Sequence, residues 1–315
     1  MTKTYFEILR AGINTTYQDI GRPQLYHIGI PFSGAMDKRN FLIANKLVGN
    51  ELESAVIEFA FQGPLLKLKN STTVFTITGN VKFNIIRKNS TIEKGICYQT
   101  YSLEPEEQLD IISIEKSVYG YLGIQGGFDV DLFWNSYSVN TKAKIGPNNG
   151  EKFLNNQKIF LKKELNNFSI KKIDYLNSKI EFIRVIKGTN YDYFSETSKN
   201  LFTKNEYKVS KLTDRMGMRL EGAKLENNVN TNIKSEGLIK GVIQVPADGK
   251  PIIMLSDHGT IGGYPKIAVV ISADYDRLVQ LPPGAKIKFK LIDLQEAENL
   301  YELYRLETEN ILNRI

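Results

Sequence analysis

The sequence has one cysteine, Cys97, two histidines, His27 and His258, and one tryptophan among 315 residues. A single thiol cannot form an internal disulfide, which suits a reducing, cytoplasmic compartment. Two imidazoles and one thiol cannot complete a His/Cys metal site, so no protein-built metal centre is expected. They also give no support to a Ser-His-Asp or Cys-His catalytic set. No run of 18 apolar residues is present, so no transmembrane helix is expected. Met1–Arg10 carries Lys3, Glu7 and Arg10 and lacks the apolar core of a secretory signal. The phosphate-cradling G-x-x-x-x-G-K-[ST] loop and the G-x-S-x-G elbow are both missing. Any use of ATP therefore needs another kind of site.

What is present is ordinary globular composition, 42% hydrophobic and 24% charged, with a net charge of +6. The basic excess is spread along the chain and reads as solvated surface, so neither a nucleic-acid nor a membrane partner is expected.

Short runs rich in Val, Ile, Phe, Thr and Tyr predict strands at Thr72–Thr78, Val81–Ile86, Leu109–Ile114, Tyr119–Ile124, Ile180–Ile186 and Lys286–Ile292. The last alternates, with Ile287, Phe289 and Leu291 opposite Lys286, Lys288 and Lys290, as a half-buried strand does. Many short strands split by Gly, Asn and Pro predict a mainly β chain of barrels or sandwiches. Two helices stand out. Asp37–Val48 has helical apolar spacing, Asp37 as N-cap and Gly49 just past its end. The tail, Leu294 to about Ile311, is amphipathic and packs on its own domain or on another subunit. Asn140–Phe168 reads as loop. The chain divides into a β-rich N-terminal domain over 1–175, a C-terminal barrel over 176–292 and the helix over 293–315.

Three segments concentrate polar and small residues. Gly12–Asp37 includes Thr16, Gln18, Asp19, Arg22, Ser33 and Asp37. Glycine-loosened backbone and a helix N-terminus suit an anion, with Arg22 as a two-pronged grip. The same residues also read as a helix cap and an internal Asp19–Arg22 pair. Leu212–Gly222 holds Asp214 and Arg215, either near a site or in a surface turn. The third runs from Ser235-Glu236-Gly237 to Ala268. Here Val242–Val245 and Ile252–Leu255 predict a hairpin about Asp248-Gly249. Gln244 would face Asp257, Gly262-Gly263 would permit close backbone approach, and Tyr264 and Lys266 add a phenol and an ammonium. Lys266 is the best residue here to neutralise a phosphoryl or carboxylate group. Gly262-Gly263 also reads as a bulge or tight turn, and His258 as a core or surface histidine.

Read in order, these segments resemble the biotin-dependent carboxyltransferase-like family, also described as allophanate hydrolase subunit 2. Its G-x-x-T-T-x-Q-D-x-G-R matches Gly12–Arg22, its S-G-A-M-D matches Ser33–Asp37, and its N-x-L-V-G-N matches Asn45–Asn50. Its D-R-M-G-x-R-L-x-G matches Asp214–Gly222. Its S-E-G, G-x-I-Q-V-P, D-G-x-P-I and G-G-Y-P match Ser235–Gly237, Gly241–Pro246, Asp248–Ile252 and Gly262–Pro265. The pattern departs at Gln24, where a second glycine is usual. It departs also at Asn135–Val139, where G-S-R-S-T is usual, and at Gly146–Glu151, which lacks an arginine. The tail beyond residue 292 is an addition.

The resemblance implies cyclophilin-like β-barrel domains. It implies an enzyme subunit of the ATP-dependent 5-oxoprolinase branch, an amide (lactam) hydrolase working with B-type and A-type subunits, with ATP and Mg²⁺ as reactants. On that reading Asp19, Asp37, Asp257 and Lys266 are the catalytic candidates. Thr16, Gln18, Arg22, Ser33, Arg215, Gln244, Gly262, Gly263 and Tyr264 are the substrate-binding candidates. Two alternatives remain: carboxyl transfer from carboxybiotin to urea or a related amide, although no biotin-carrier motif is present, and a non-catalytic regulator that binds a B-type partner.

Overall fold

A computed structural model describes residues 3–162, 169–175, 181–229 and 232–315. The chain is mainly β, and it divides into two compact units. The first comprises Met1–Arg22, Asp37–Leu176 and Glu309–Ile315; the second comprises Pro23–Met36 and Asn177–Thr308. Two places differ from segments 1–175, 176–292 and 293–315. Pro23–Met36 belongs to the second unit, and the residues of the tail are shared out between the two.

The first unit contains two antiparallel sheets. The six-stranded sheet runs in the order Lys158–Phe160, Tyr5–Arg10, Leu65–Lys69, Gln108–Ile114, Val81–Ile86, Ile92–Lys94. The five-stranded sheet runs Thr16–Gln18, Val56–Ala60, Tyr119–Ile124, Thr73–Thr78, Thr100–Leu103. Alternate side chains from both sheets meet in one core that includes Phe6, Ile8, Leu66, Leu109, Ile57, Phe59, Phe75 and Leu122. The five-stranded sheet is buried on its other face too, and that face is polar: Thr16, Gln18, Glu58, Thr76, Thr78 and Tyr121 are all buried there.

Helix α1 (Lys38–Leu47) covers part of this polar face. A Cβ at Gly123 would lie 2.9 Å from the Ala44 carbonyl oxygen, so only glycine allows so close an approach. Asp37 caps α1 as the sequence predicts, with Oδ1 accepting the Asn40 backbone N–H at 3.0 Å. Gly49 takes the left-handed conformation after its end, at φ 73°.

In the second unit an eight-stranded sheet closes nearly into a barrel. The predicted strand over Lys286–Ile292 is what closes it. It breaks at Lys288 into Lys286–Ile287, which pairs with Tyr207–Val209, and Phe289–Leu291, which pairs with Ile183–Lys187. These are the two ends of the sheet, so one short stretch satisfies both edges. Ile287 and Phe289 are buried and the three lysines exposed, as the alternation requires. The predicted hairpin is present, with Val242–Gln244 antiparallel to Ile252–Met254.

Some elements differ from expectation. The segment predicted as loop, Asn140–Phe168, contains the strand Lys158–Phe160, paired with Tyr5–Glu7. Three residues are too few to show a period, and only the partner strand fixes them. Residues 163–168 of that segment and Ile180, the first residue of one predicted strand, lie outside the described residues. Helices α2 (Glu196–Lys204) and α3 (Ser272–Val279) are not among the predicted elements; they are nine and eight residues long, shorter than the two predicted helices. The tail helix α4 spans Leu294–Asn313. In the second unit its Ala297, Leu300 and Tyr304 pack with Ile271, Ala273 and Ile292. In the first unit Leu312 joins Ile43, Leu47 and Ile173. Among the described residues no helix is long and apolar enough to cross a membrane.

Candidate functional site

The first unit holds Thr16, Gln18, Asp19, Arg22 and Asp37. Asp19 is buried, and its carboxylate is ringed by donors. Oδ1 accepts Gly21 N–H at 2.8 Å, the Ser136 hydroxyl at 2.7 Å and the Ser138 hydroxyl; Oδ2 accepts Tyr137 N–H at 2.6 Å. The chain itself thus supplies four donors to this carboxylate, three on Oδ1 and one on Oδ2. Arg22 is buried as well. Its Nε donates to the Phe133 carbonyl and its Nη2 to the Ser138 carbonyl. Together Asp19 and Arg22 clamp the 133–138 segment. Asn135–Val139, which departs from the family pattern, thus keeps in Ser136 and Ser138 the two hydroxyls that Asp19 requires. Neither serine stands out in the sequence, because their partner lies more than a hundred residues away.

Asp37 is equally engaged: beyond its cap to Asn40 N–H, Oδ2 accepts the Asn40 side-chain amide at 2.6 Å. Asn40 Oδ1 in turn accepts the Tyr98 hydroxyl at 2.8 Å. Tyr121, fully buried, accepts Asp37 N–H at 2.7 Å and donates to Glu58. Burial first, and then the Glu58 and Asp37 charges, hold the Tyr121 phenol well above its usual range. It stays a neutral donor at physiological pH. Glu58 sits directly opposite both Thr16 and Tyr121 in the strand register, so the three share a face. The sequence hides Glu58 in an apolar strand, Val56–Ala60, where only the partner strands show which way it points.

The second unit holds the other eight candidates. Ser33, buried and at φ 56°, donates its N–H to the Ser256 carbonyl at 3.0 Å. The neighbouring Gly34 carbonyl accepts Arg215 Nη2 at 2.7 Å. Arg215 also grips Asp257 at two points, Nε to Oδ2 at 2.8 Å and Nη2 to Oδ1 at 3.1 Å. Segment 23–36 therefore attaches to this unit through backbone groups beside a buried ion pair. Asp214 is exposed and accepts Met216 and Gly217 N–H, which makes it the turn residue. His258 is buried beside Tyr26. Its Nδ1 donates to the Gly259 carbonyl at 2.6 Å, and burial, the largest influence, pushes its pKa below the usual value. It is a core histidine.

The second group in this unit surrounds Lys266. Gln244 and Lys266 are register partners on adjacent strands, where the ladder shifts register after Ile243. Lys266 is buried, and Nζ donates to Glu236 Oε2 at 2.8 Å. That hydrogen bond is the main reason the half-exposed Glu236 carboxyl is held below its usual range, with Asn190 and Thr189 adding to it. Gln244 Nε2 donates to the Tyr264 carbonyl at 3.2 Å. A Cβ at Gly262 would meet Gln244 Nε2 at 2.6 Å, so the Gly262 backbone lies close against this side chain. Gly262 pairs with Glu236 across a two-stranded ladder. Glu236 is visible in the sequence as part of Ser235-Glu236-Gly237, but its partner is 30 residues away and no local pattern points to it. Among the described residues no group of three or more His, Cys, Asp or Glu side chains is arranged to hold a metal ion.

The family model "Carboxyltransferase domain, subdomain A and B" matches residues 28–291. The chain belongs to this carboxyltransferase-domain family. The domain is 31% identical to the C subunit of 5-oxoprolinase from Escherichia coli, over 92% of each chain. It is 32% identical to the protein of the same name from Haemophilus influenzae, over 93% of each. It is also 27% identical to urea amidolyase of Saccharomyces cerevisiae, spanning only 17% of that protein. The K. lactis urea amidolyase crystal structure contains a similar fold, with TM-score 0.87 and 27% identity. It matches 99% of this chain, which spans about a fifth (20%) of that one.

Proposed function

We propose that the chain is the C-type subunit of an ATP-dependent 5-oxoprolinase, acting with B-type and A-type subunits in the cytoplasm. The supporting observation is the extent of the likeness. The two bacterial 5-oxoprolinase C subunits match over 92% and 93% of both chains, whereas the yeast urea amidolyase matches over only 17% of its length.

The overall reaction takes 5-oxoproline, ATP and two waters to glutamate, ADP and phosphate. A lactam carbonyl is a poor electrophile. Attack of its oxygen on the γ-phosphorus releases ADP and converts it to a better one. A first water then adds to the activated carbon, the ring C–N bond opens to leave a γ-glutamyl phosphate, and a second water hydrolyses that acyl phosphate to glutamate and phosphate. The protein's part is positioning and charge stabilisation. We give the anion to Lys266. Its ammonium has three N–H donors and directs one to Glu236. Gln244 and Tyr264 supply hydrogen bonds beside it. Arg215 and Asp257, which bind each other, hold the Ser33-Gly34 backbone in place. Mg²⁺ would enter on the phosphates of ATP, as it does where one or two carboxylates and the nucleotide share its coordination.

The test is phosphate release by this chain with its A-type and B-type partners. Lys266→Ala is expected to lower the 5-oxoproline-dependent rate about 10²-fold or more, the usual cost of removing one charge-stabilising donor. A wild-type mixture that releases no phosphate in response to 5-oxoproline overturns the reading. The K. lactis fold match favours a second reading, carboxyl transfer from carboxybiotin to urea. Biotin-dependent carboxylation by the same mixture would support it.

A further inference from the structure

The side chain of Gln18 is fully buried, yet its Oε1 has no partner among the described residues. The hydrogen bonds fix the orientation of the amide. Nε2 donates to the Val139 carbonyl at 2.9 Å, and a carbonyl can only accept, so Oε1 must be the atom left over. Nε2 also donates to Thr16 Oγ1 at 3.0 Å. Since Oγ1 takes that bond as acceptor, the Thr16 hydroxyl proton is directed elsewhere. Thr16 and Gln18 lie two residues apart in one strand, so both project from the same polar face of the five-stranded sheet. A buried acceptor without a donor costs about 1–3 kcal/mol, and a native fold retains one where something else supplies the donor.

The pair is therefore an acceptor and a donor side by side: Gln18 Oε1 seeks an N–H, and the Thr16 hydroxyl offers a proton to an oxygen. A cis amide has the complementary edge, with N–H and C=O on the same side. Ordinary acyclic secondary amides are trans and present these groups on opposite sides. A lactam ring enforces the cis edge, and urea presents it through one of its N–H bonds.

We propose that Thr16 and Gln18 form a recognition edge for a cis amide, with Gln18 Oε1 accepting the amide N–H and the Thr16 hydroxyl donating to the amide oxygen. This deepens the proposed function, resting on it for the choice of a lactam as ligand. Unlike the assignment of Lys266, it concerns the first unit alone. Selectivity follows from the chemistry. A buried polar group left unpaired by an analogue can discriminate by several powers of ten.

The test is calorimetric titration of the full chain, alone and with its B-type partner, using 5-oxoproline, its N-methyl derivative and the corresponding lactone. The last two lack the N–H. Binding of 5-oxoproline is expected to be at least tenfold tighter than that of either analogue, and Gln18→Met and Thr16→Val are expected to abolish the difference. Equal affinity for 5-oxoproline and its N-methyl derivative overturns the proposal, and so does the absence of any lactam binding. The analogue comparison uses only the wild-type chain, so it decides even if a variant fails to fold. Selective lactam binding without lactam-dependent phosphate release would sustain this inference and reject the proposed function; phosphate release without N–H selectivity would do the reverse.

Discussion

Arg215 and Asp257 form a buried, two-point ion pair, with Nε–Oδ2 at 2.8 Å and Nη2–Oδ1 at 3.1 Å. Removing one member leaves the other charge buried without its partner, which typically costs about 3–5 kcal/mol. Asp257→Ala and Arg215→Ala are each expected to destabilise the chain on that scale in urea denaturation. Arg215→Lys should recover little, since an ammonium cannot reproduce the fork that also reaches the Gly34 carbonyl. If the double variant Arg215→Met/Asp257→Leu is as unstable as either single variant, the cost lies in packing and not in the stranded charge.

Two glycines of the second unit separate the site from its scaffold. A Cβ at Gly188 would lie 2.3 Å from the Lys266 carbonyl oxygen, which is backbone and cannot turn aside. Gly188→Ala should therefore lower stability by about 1–3 kcal/mol or more. At Gly262 the nearest atom is the end of the Gln244 side chain, at 2.6 Å, which can move. Gly262→Ala should melt within a few degrees of wild type while raising KM for 5-oxoproline. Thermal melts and steady-state kinetics on the two variants check the contrast.

His258 makes stability depend on pH in a defined direction. Burial depresses its folded pKa below the unfolded value of about 6.5. As the pH falls below 6.5 the unfolded chain gains a proton that the folded imidazole refuses, so stability falls until the depressed folded value is passed. One group contributes at most about 1.4 kcal/mol per pH unit. Denaturation between pH 7.5 and 5.0 should show a smaller loss for His258→Asn than for wild type; parallel curves would remove His258 as the cause.

Asp37 is one of the four catalytic candidates read from the sequence, but both of its oxygens bind Asn40. As an N-cap it can be replaced by asparagine at a cost below about 1 kcal/mol, whereas alanine should cost about 1–2 kcal/mol. Asp37→Asn should accordingly keep near-wild-type turnover. A loss of tenfold or more in kcat with an unchanged melting temperature would restore the carboxylate to a chemical part.

The sequence alone determined the features that are local in the chain. The α1 cap and its closing glycine, the hairpin about Asp248-Gly249 and the alternation of Lys286–Leu291 all follow from neighbouring residue types. The ordered motifs likewise carried the family. Tertiary structure decided whatever depends on a partner distant in sequence. It made Lys286–Leu291 the strand that joins both edges of the barrel, and it set Glu58 beside Thr16 and Tyr121. It joined Asp19 to serines 117 and 119 residues further on and gave Lys266 to Glu236. A carboxylate's chemistry depends on the donors around it, and in a β-rich chain strand register, absent from any short window of sequence, chooses those donors.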